Sequence, residues 1–230
     1  MDESARLLLF DIDGTLLHSH GVGTRSMLDA IAEVCGTEID LNGYSMGGRT
    51  DPQIFRELLE RSGGGDVGQE DLDRLAARYL ELLEEKLRER VPVPKPGVLE
   101  LLERLAGEGA AHVGLVTGNF EKGAALKLAR MGIDHYFAVG AYGSDHADRD
   151  RLPAIAMERA AEHFGVRHAP ERVTVIGDTP SDVRCARAAG VRALAVATGG
   201  YDSAALTEHR PDHLLEDLGD VERVVGILMR

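Results

Sequence analysis

The first run of apolar residues, 7–10, stops against two carboxylates, Asp11 and Asp13, with Gly14 and Thr15 directly behind them. Four large apolar residues in succession read as a strand buried on both faces, with the acids at its carboxyl end. Alternate residues of an extended chain share a side, so both carboxylates reach one small volume. They repel there unless a cation or a proton lies between them. From Thr24 the apolar spacing becomes helical: Met27, Leu28, Ile31, Ala32 and Val34 share a face, and Gly36 ends it. Pro52 opens a second helix carrying Ile54, Phe55, Leu58 and Leu59, closed by a turn at Ser62-Gly63-Gly64-Gly65. A third runs from about 70 to 90, apolar at Leu72, Leu75, Ala76, Tyr79, Leu83 and Leu87, with acids and bases on its solvated face.

From Gly97 helix and strand patterns alternate. A helix near 98–105 precedes a strand at 112–116, and a helix reaching Met131 precedes a strand at 137–139. A helix at 152–164, a strand at 173–176, a helix ending at Ala189 and a strand at 191–196 follow, then a short strand at 214–215 and a helix at 221–229. This alternation predicts an α/β fold, a Rossmann-like parallel sheet flanked by helices. Sites in such sheets lie beyond the carboxyl ends of the strands. The helical stretch joins the rest through a glycine-containing loop at 18–23 and a stiff VPVPKP segment at 91–96. The expected organisation is therefore an α/β core of residues 1–17 and 91–230 with an inserted, hinged all-helical cap of residues 18–90.

Composition narrows the function. The 230 residues carry 26 Lys plus Arg against 39 Asp plus Glu, a net charge of −13, which argues against a nucleic-acid surface. No apolar run has membrane-spanning length and none reads as a signal peptide, so a cytoplasmic location is expected, without a membrane partner. Cys35 and Cys185 are far apart and read as two reduced, buried thiols. Only four lysines are present, Lys86, Lys95, Lys122 and Lys127.

Three strand ends carry small and polar residues: Asp11-Ile12-Asp13-Gly14-Thr15, Thr117-Gly118-Asn119 and Gly177-Asp178-Thr179-Pro180-Ser181-Asp182. A parallel sheet brings them to one edge. Carboxylates bind hard cations, Mg²⁺ being the usual one where phosphate oxygens are the other ligands. The loop at Thr117, opening a helix, is an anion site. A metal beside an anion site with a free carboxylate is an arrangement for phosphoryl transfer.

These motifs, D-I-D-G-T-L-L, V-T-G-N and V-I-G-D-T-P-S-D, resemble in kind and order the haloacid dehalogenase-like hydrolase superfamily. The helical insert resembles that of its phosphoglycolate phosphatase and β-phosphoglucomutase branch. The resemblance implies Asp11 as nucleophile forming an aspartyl-phosphate, and Asp13 as acid and then base. It implies Mg²⁺ held by the Asp11 carboxylate, the Asp13 carbonyl and Asp178, with Asp182 acting nearby through water. Thr117, Gly118 and Asn119 would hold the phosphoryl oxygens. One departure stands out: the family's lysine before the last motif is missing, since no lysine follows Lys127. Arg149 and Arg151 are the substitutes, and the reach of the loop at 143–150 favours Arg149. Lys127, two turns into its helix, is expected to make a surface or strand-end contact away from the phosphate. Arg49, in a glycine-rich turn of the cap, is expected to contact the leaving group, with Thr50 or Asp51 capping the next helix. His18, Ser19 and His20 are expected as hinge residues.

The implied function is a Mg²⁺-dependent phosphatase for a small phosphorylated metabolite, acting as a monomer or homodimer. The alternatives are a β-phosphoglucomutase-type mutase, which shares every core motif, and a catalytically silent binding protein, which the complete set of acids disfavours. Dehalogenase chemistry has no use for Asp13 and Asp178, and phosphonatase chemistry lacks a suitable cap lysine.

Overall fold

A computed structural model describes residues 5–63, 68–109 and 111–230; Gly64 and Gly65 of the expected turn lie outside them. Strand β1 (Arg6–Phe10) is buried along its whole length. It leads to a two-residue strand β2 (Leu17–His18) and three helices, α1 (Val22–Cys35), α2 (Asp51–Arg61) and α3 (Gln69–Glu89). The chain returns through β3 (Val93–Pro94) and then alternates: α4 (Val98–Glu108), β4 (Ala111–Val116), α5 (Glu121–Met131), β5 (Val139–Ala141), α6 (Leu152–Phe164), β6 (Val173–Gly177), α7 (Pro180–Ala188), β7 (Arg192–Val196), α8 (Ser203–Glu208), β8 (His213–Leu215) and α9 (Val221–Leu228).

The six long strands form one sheet in the order β5-β4-β1-β6-β7-β8, every pairing parallel. β1 is central, and the chain leaves it to build first one side of the sheet and then the other. That reversal opens a crevice at the carboxyl end of β1. Alternation along β1 sends Leu8 and Phe10 into the apolar layer beneath α4 and α9, and Leu7 and Leu9 into the layer beneath α6 and α7. Each such leucine contributes about 1.5–3 kcal/mol by burial. Helices α1–α3 enclose an apolar cluster of their own, centred on Phe55, Leu75, Tyr79 and Leu83.

Three local expectations are corrected. The edge strand lies at Val139–Ala141, because Phe137 closes a 3-10 turn and packs edge-on against Phe10, ring centroids 6.4 Å apart. α1 begins at Val22, after Gly21 in the left-handed region, rather than at Thr24. Cys35 is exposed while Cys185 is buried. The two linkers, read separately from sequence, pair with each other: Leu17 faces Pro94 and His18 faces Val93 in an antiparallel ribbon. Among the described residues no helix is long and apolar enough to cross a membrane.

Candidate active site

The carboxyl ends of β1, β4 and β6 meet beneath the helical unit around a cavity of about 800 Å³. Asp11 and Asp13 leave β1 on its mouth, and Gly14, at φ 92°, turns the chain. A side chain at Gly14 would collide with the Asp178 carboxylate, so glycine there makes room for an acid. Gly177 and Gly199 do the same, for Asp182 and Asp178 respectively.

Asp11, Asp178 and Asp182 are buried, and one carboxylate oxygen from each lies within 4.8 Å of the others. Burial raises the proton affinity of Asp11, Arg149 offsets part of this, and Asp182 and Asp13 add to it, leaving Asp11 near 6. Asp178 is raised well above its ordinary value by burial and then by Asp11 and Asp182, against the hydroxyl of Thr15, which donates to its Oδ1 at 2.9 Å, and against Arg149. Asp182 is held on both oxygens: Oδ1 accepts from Arg149 at 2.5 Å, and Oδ2 accepts from the Thr179 amide and hydroxyl at 3.0 and 2.7 Å, forming a capping box at the start of α7.

Arg149, not Arg151, enters the site. It is 4% exposed, and its Nη2 donates to Asp11 Oδ1 at 2.9 Å as well as to Asp182. Arg151 is exposed. The segment is not extended: Asp148 accepts from the Asp150 amide and opens a 3-10 turn over Arg149–Arg151, which points the two arginines apart. The Nε of Arg149 is buried without a hydrogen-bond partner, a donor facing no acceptor of the protein.

The carboxylate of Asp13 is committed elsewhere. It accepts from Lys127 at 2.5 Å, from Asn119 at 3.0 Å and from Ser19 at 2.9 Å. Burial would raise its proton affinity, but Lys127 and these hydrogen bonds outweigh that and lower it. Of the surface and strand-end contacts expected for Lys127, it makes the second: it is 3% exposed and lies against the second acid of the site. Thr117 Oγ1 accepts from both the amide and the side-chain Nδ2 of Asn119, at 3.3 and 2.8 Å, which leaves its own proton free to be donated into the cavity.

The turn before α2 forms the roof. The Asp51 amide donates to the Gly118 carbonyl at 2.7 Å, the Asp51 carboxylate accepts from the Phe120 amide at 2.9 Å, and the Thr50 hydroxyl donates to the Ala147 carbonyl at 2.8 Å. Thr50 also caps α2, with a long 3.4 Å bond from Gln53. Asp51 was missed as a site residue because an acid before a helix has a sufficient local explanation. Gly118, expected to hold substrate, is where this turn docks; a Cβ on it would strike the Arg49 carbonyl. Arg49 lines the cavity, but its guanidinium bonds Glu57 at 2.8 Å and the Ser45 carbonyl at 2.5 Å and lies over the Tyr44 ring. His18 and Ser19 line the cavity.

The sequence model of the haloacid dehalogenase-like hydrolases matches residues 5–190. A phosphoglycolate phosphatase of Nitrosococcus oceani is 28% identical over 230 residues, spanning 98% of this chain and 99% of that protein. The pyrophosphatase PpaX of Oceanobacillus iheyensis is 26% identical over 234 residues, spanning 97% and 98%. A crystal structure described as a predicted phosphoglycolate phosphatase from Haemophilus somnus superposes with a TM-score of 0.73 at 22% identity, covering 96% of this chain and 98% of that one. The acids, the sheet that gathers them and these matches lead to one assignment: the chain belongs to the haloacid dehalogenase-like hydrolase family, as a phosphatase.

Proposed function

We propose that this enzyme hydrolyses a small phosphorylated metabolite through a phosphorylated Asp11, with Mg²⁺ as its cofactor. The observation that carries the reading is the cluster of Asp11, Asp178 and Asp182 with Arg149 buried among them beside the free hydroxyl of Thr117. Three crowded carboxylates, of which Asp11 and Asp178 have raised proton affinity, against one guanidinium, form an oxygen donor set suited to a hard divalent ion. Asp11 and Asp178, with the Asp13 carbonyl, would hold that ion, and Asp182, already bonded on both oxygens, would orient Arg149. When bound, the ion neutralises charge on the phosphoryl group.

In the first step an Asp11 oxygen attacks phosphorus, the bond to the leaving oxygen breaks, and that oxygen takes a proton from Asp13. An incoming phosphate dianion adds negative charge near Asp13 and raises its proton affinity, so Asp13 takes up a proton as substrate binds. In the second step Asp13 takes a proton from water, the water oxygen attacks phosphorus, and the Asp11 carboxylate leaves. Arg149 Nη2 and Nε and the Thr117 hydroxyl stabilise charge on the phosphoryl oxygens. The helical unit of residues 18–90 acts as a cap: its turn at 49–51 excludes water and shapes the leaving-group space. The charged groups lining the cavity, Asp11, Asp178 and Arg149 among them, and the names of the relatives support phosphoglycolate and pyrophosphate as first substrates to test.

The test is phosphate release from p-nitrophenyl phosphate, phosphoglycolate, pyrophosphate and a panel of sugar phosphates, with and without chelator. Mg²⁺-dependent release of free phosphate supports the reading. Transfer to a second sugar hydroxyl without release points to the mutase, and absence of turnover on every compound overturns the proposal.

A further inference from the structure

The scheme above leaves the buried Lys127 unused. Of the four lysines only Lys127 is buried, and burying an ammonium costs several kcal/mol unless its partners repay it. Its partners are specific. Nζ donates to Asp13 Oδ2 at 2.5 Å and to Asn119 Oδ1 at 2.6 Å, and Asn119 Nδ2 donates to the same Asp13 oxygen at 3.0 Å. The three groups close a triangle. With Oδ1 of the amide committed to Lys127, Nδ2 has to face Asp13 and Thr117. Ser19 holds the other Asp13 oxygen, so segments from the hinge loop, the β4 end and α5 together fix one carboxylate. The two cations divide the work: Arg149 serves Asp11 and Asp182 on the phosphoryl side, and Lys127 serves Asp13.

We propose, resting on the phosphatase reading, that Lys127 is a positioning residue: acting with Asn119, it fixes the Asp13 carboxylate in the orientation from which it transfers a proton to the leaving oxygen. A proton donor held in place is worth about 10²–10⁴ in rate, but only where the leaving group needs a proton. p-Nitrophenolate departs without one, whereas an alkoxide does not. A purely structural ion pair makes no such distinction between substrates.

Rapid-quench measurement of phosphoenzyme formation by Lys127→Met, with p-nitrophenyl phosphate and with an alkyl phosphate such as glycerol phosphate, tests this. The expected result is formation within about threefold of wild type for the aryl ester and a loss of about a hundredfold for the alkyl ester. Equal losses on both, or no loss on either, overturn the proposal. Should the melting curve show that Lys127→Met does not fold, Lys127→Gln carries the same comparison, since its amide keeps a polar head in the pocket without the ammonium; the same preference for the aryl ester is expected, and equal losses overturn the proposal there too. In Lys127→Ala, added ethylammonium is expected to restore alkyl ester cleavage at least tenfold. A wild-type enzyme that forms no phosphoenzyme with either ester overturns the phosphatase reading itself, and this proposal with it.

Discussion

Gly118→Ala tests how the roof of the site closes. The added Cβ would fall inside contact distance of the Arg49 carbonyl oxygen, a backbone atom that cannot swing aside. The residue cannot retreat either, because its own carbonyl is packed against Gly143. The turn at 49–51 therefore has to lift, which breaks or stretches three hydrogen bonds: Asp51 amide to Gly118 carbonyl at 2.7 Å, Phe120 amide to Asp51 at 2.9 Å, and Thr50 to Ala147 at 2.8 Å. At about 0.5–1.5 kcal/mol each, the closed arrangement loses roughly 2–4 kcal/mol, a shift of about 30- to 1000-fold in its population. The assay is kcat/KM for a phosphate monoester together with a melting curve. The expected outcome is a fall in kcat/KM of at least about 30-fold in a variant whose sheet still melts cooperatively. A variant turning over within about threefold of wild type would refute the argument that this turn docks on Gly118 during catalysis.

Three further outcomes are expected. Arg149→Met should lower kcat/KM by at least about tenfold to a hundredfold, as loss of a charge-assisted phosphate contact does, while Arg151→Met stays within about twofold. Mg²⁺ should raise the melting temperature of the wild-type protein, by relieving repulsion among Asp11, Asp178 and Asp182, and Asp178→Asn should abolish the shift; an equal shift in both would place the ion elsewhere. Burial raises Asp51 from 3.8 to about 6, against opposing contributions from Lys127 and the Phe120 amide. As pH rises through this interval the unfolded chain gives up the proton first, so the native state binds more protons and this group's contribution to stability falls. It levels off above pH 6, at a cost of about 3 kcal/mol. Asp51→Asn should remove that slope, read as the difference between the metal-free proteins in urea melts from pH 4 to 7; parallel curves would contradict it.

What was legible in the chain was what a short segment decides alone. The apolar run at 7–10 ending in two acids defines a central strand and its site, and the alternation after Gly97 defines the parallel sheet. Arg149 and Arg151 were not separable by spacing, because the answer depends on a 3-10 turn set by the Asp148 side chain. Lys127 makes the strand-end contact expected of it, on Asp13 and Asn119, but counting along the helix axis does not show that this contact enters the site. Six residues past the start of α5 are about 9 Å from its N-terminus. Helical side chains, however, lean back toward the N-terminus, and the four-carbon stem of lysine recovers the distance to Asp13. The docking role of Asp51 and Gly118 comes from two loops 67 residues apart meeting, which no local pattern encodes.

The central claim is that Asp11 carries the phosphoryl group. Borohydride reduction of enzyme quenched during turnover converts an aspartyl-phosphate to homoserine, which peptide mass analysis locates. The account predicts homoserine at position 11 in the wild-type protein and none in Asp11→Asn, which should also lose several orders of magnitude in turnover. Full turnover with residue 11 unmodified, or an Asp11→Asn variant that still hydrolyses substrate near the wild-type rate, would contradict it.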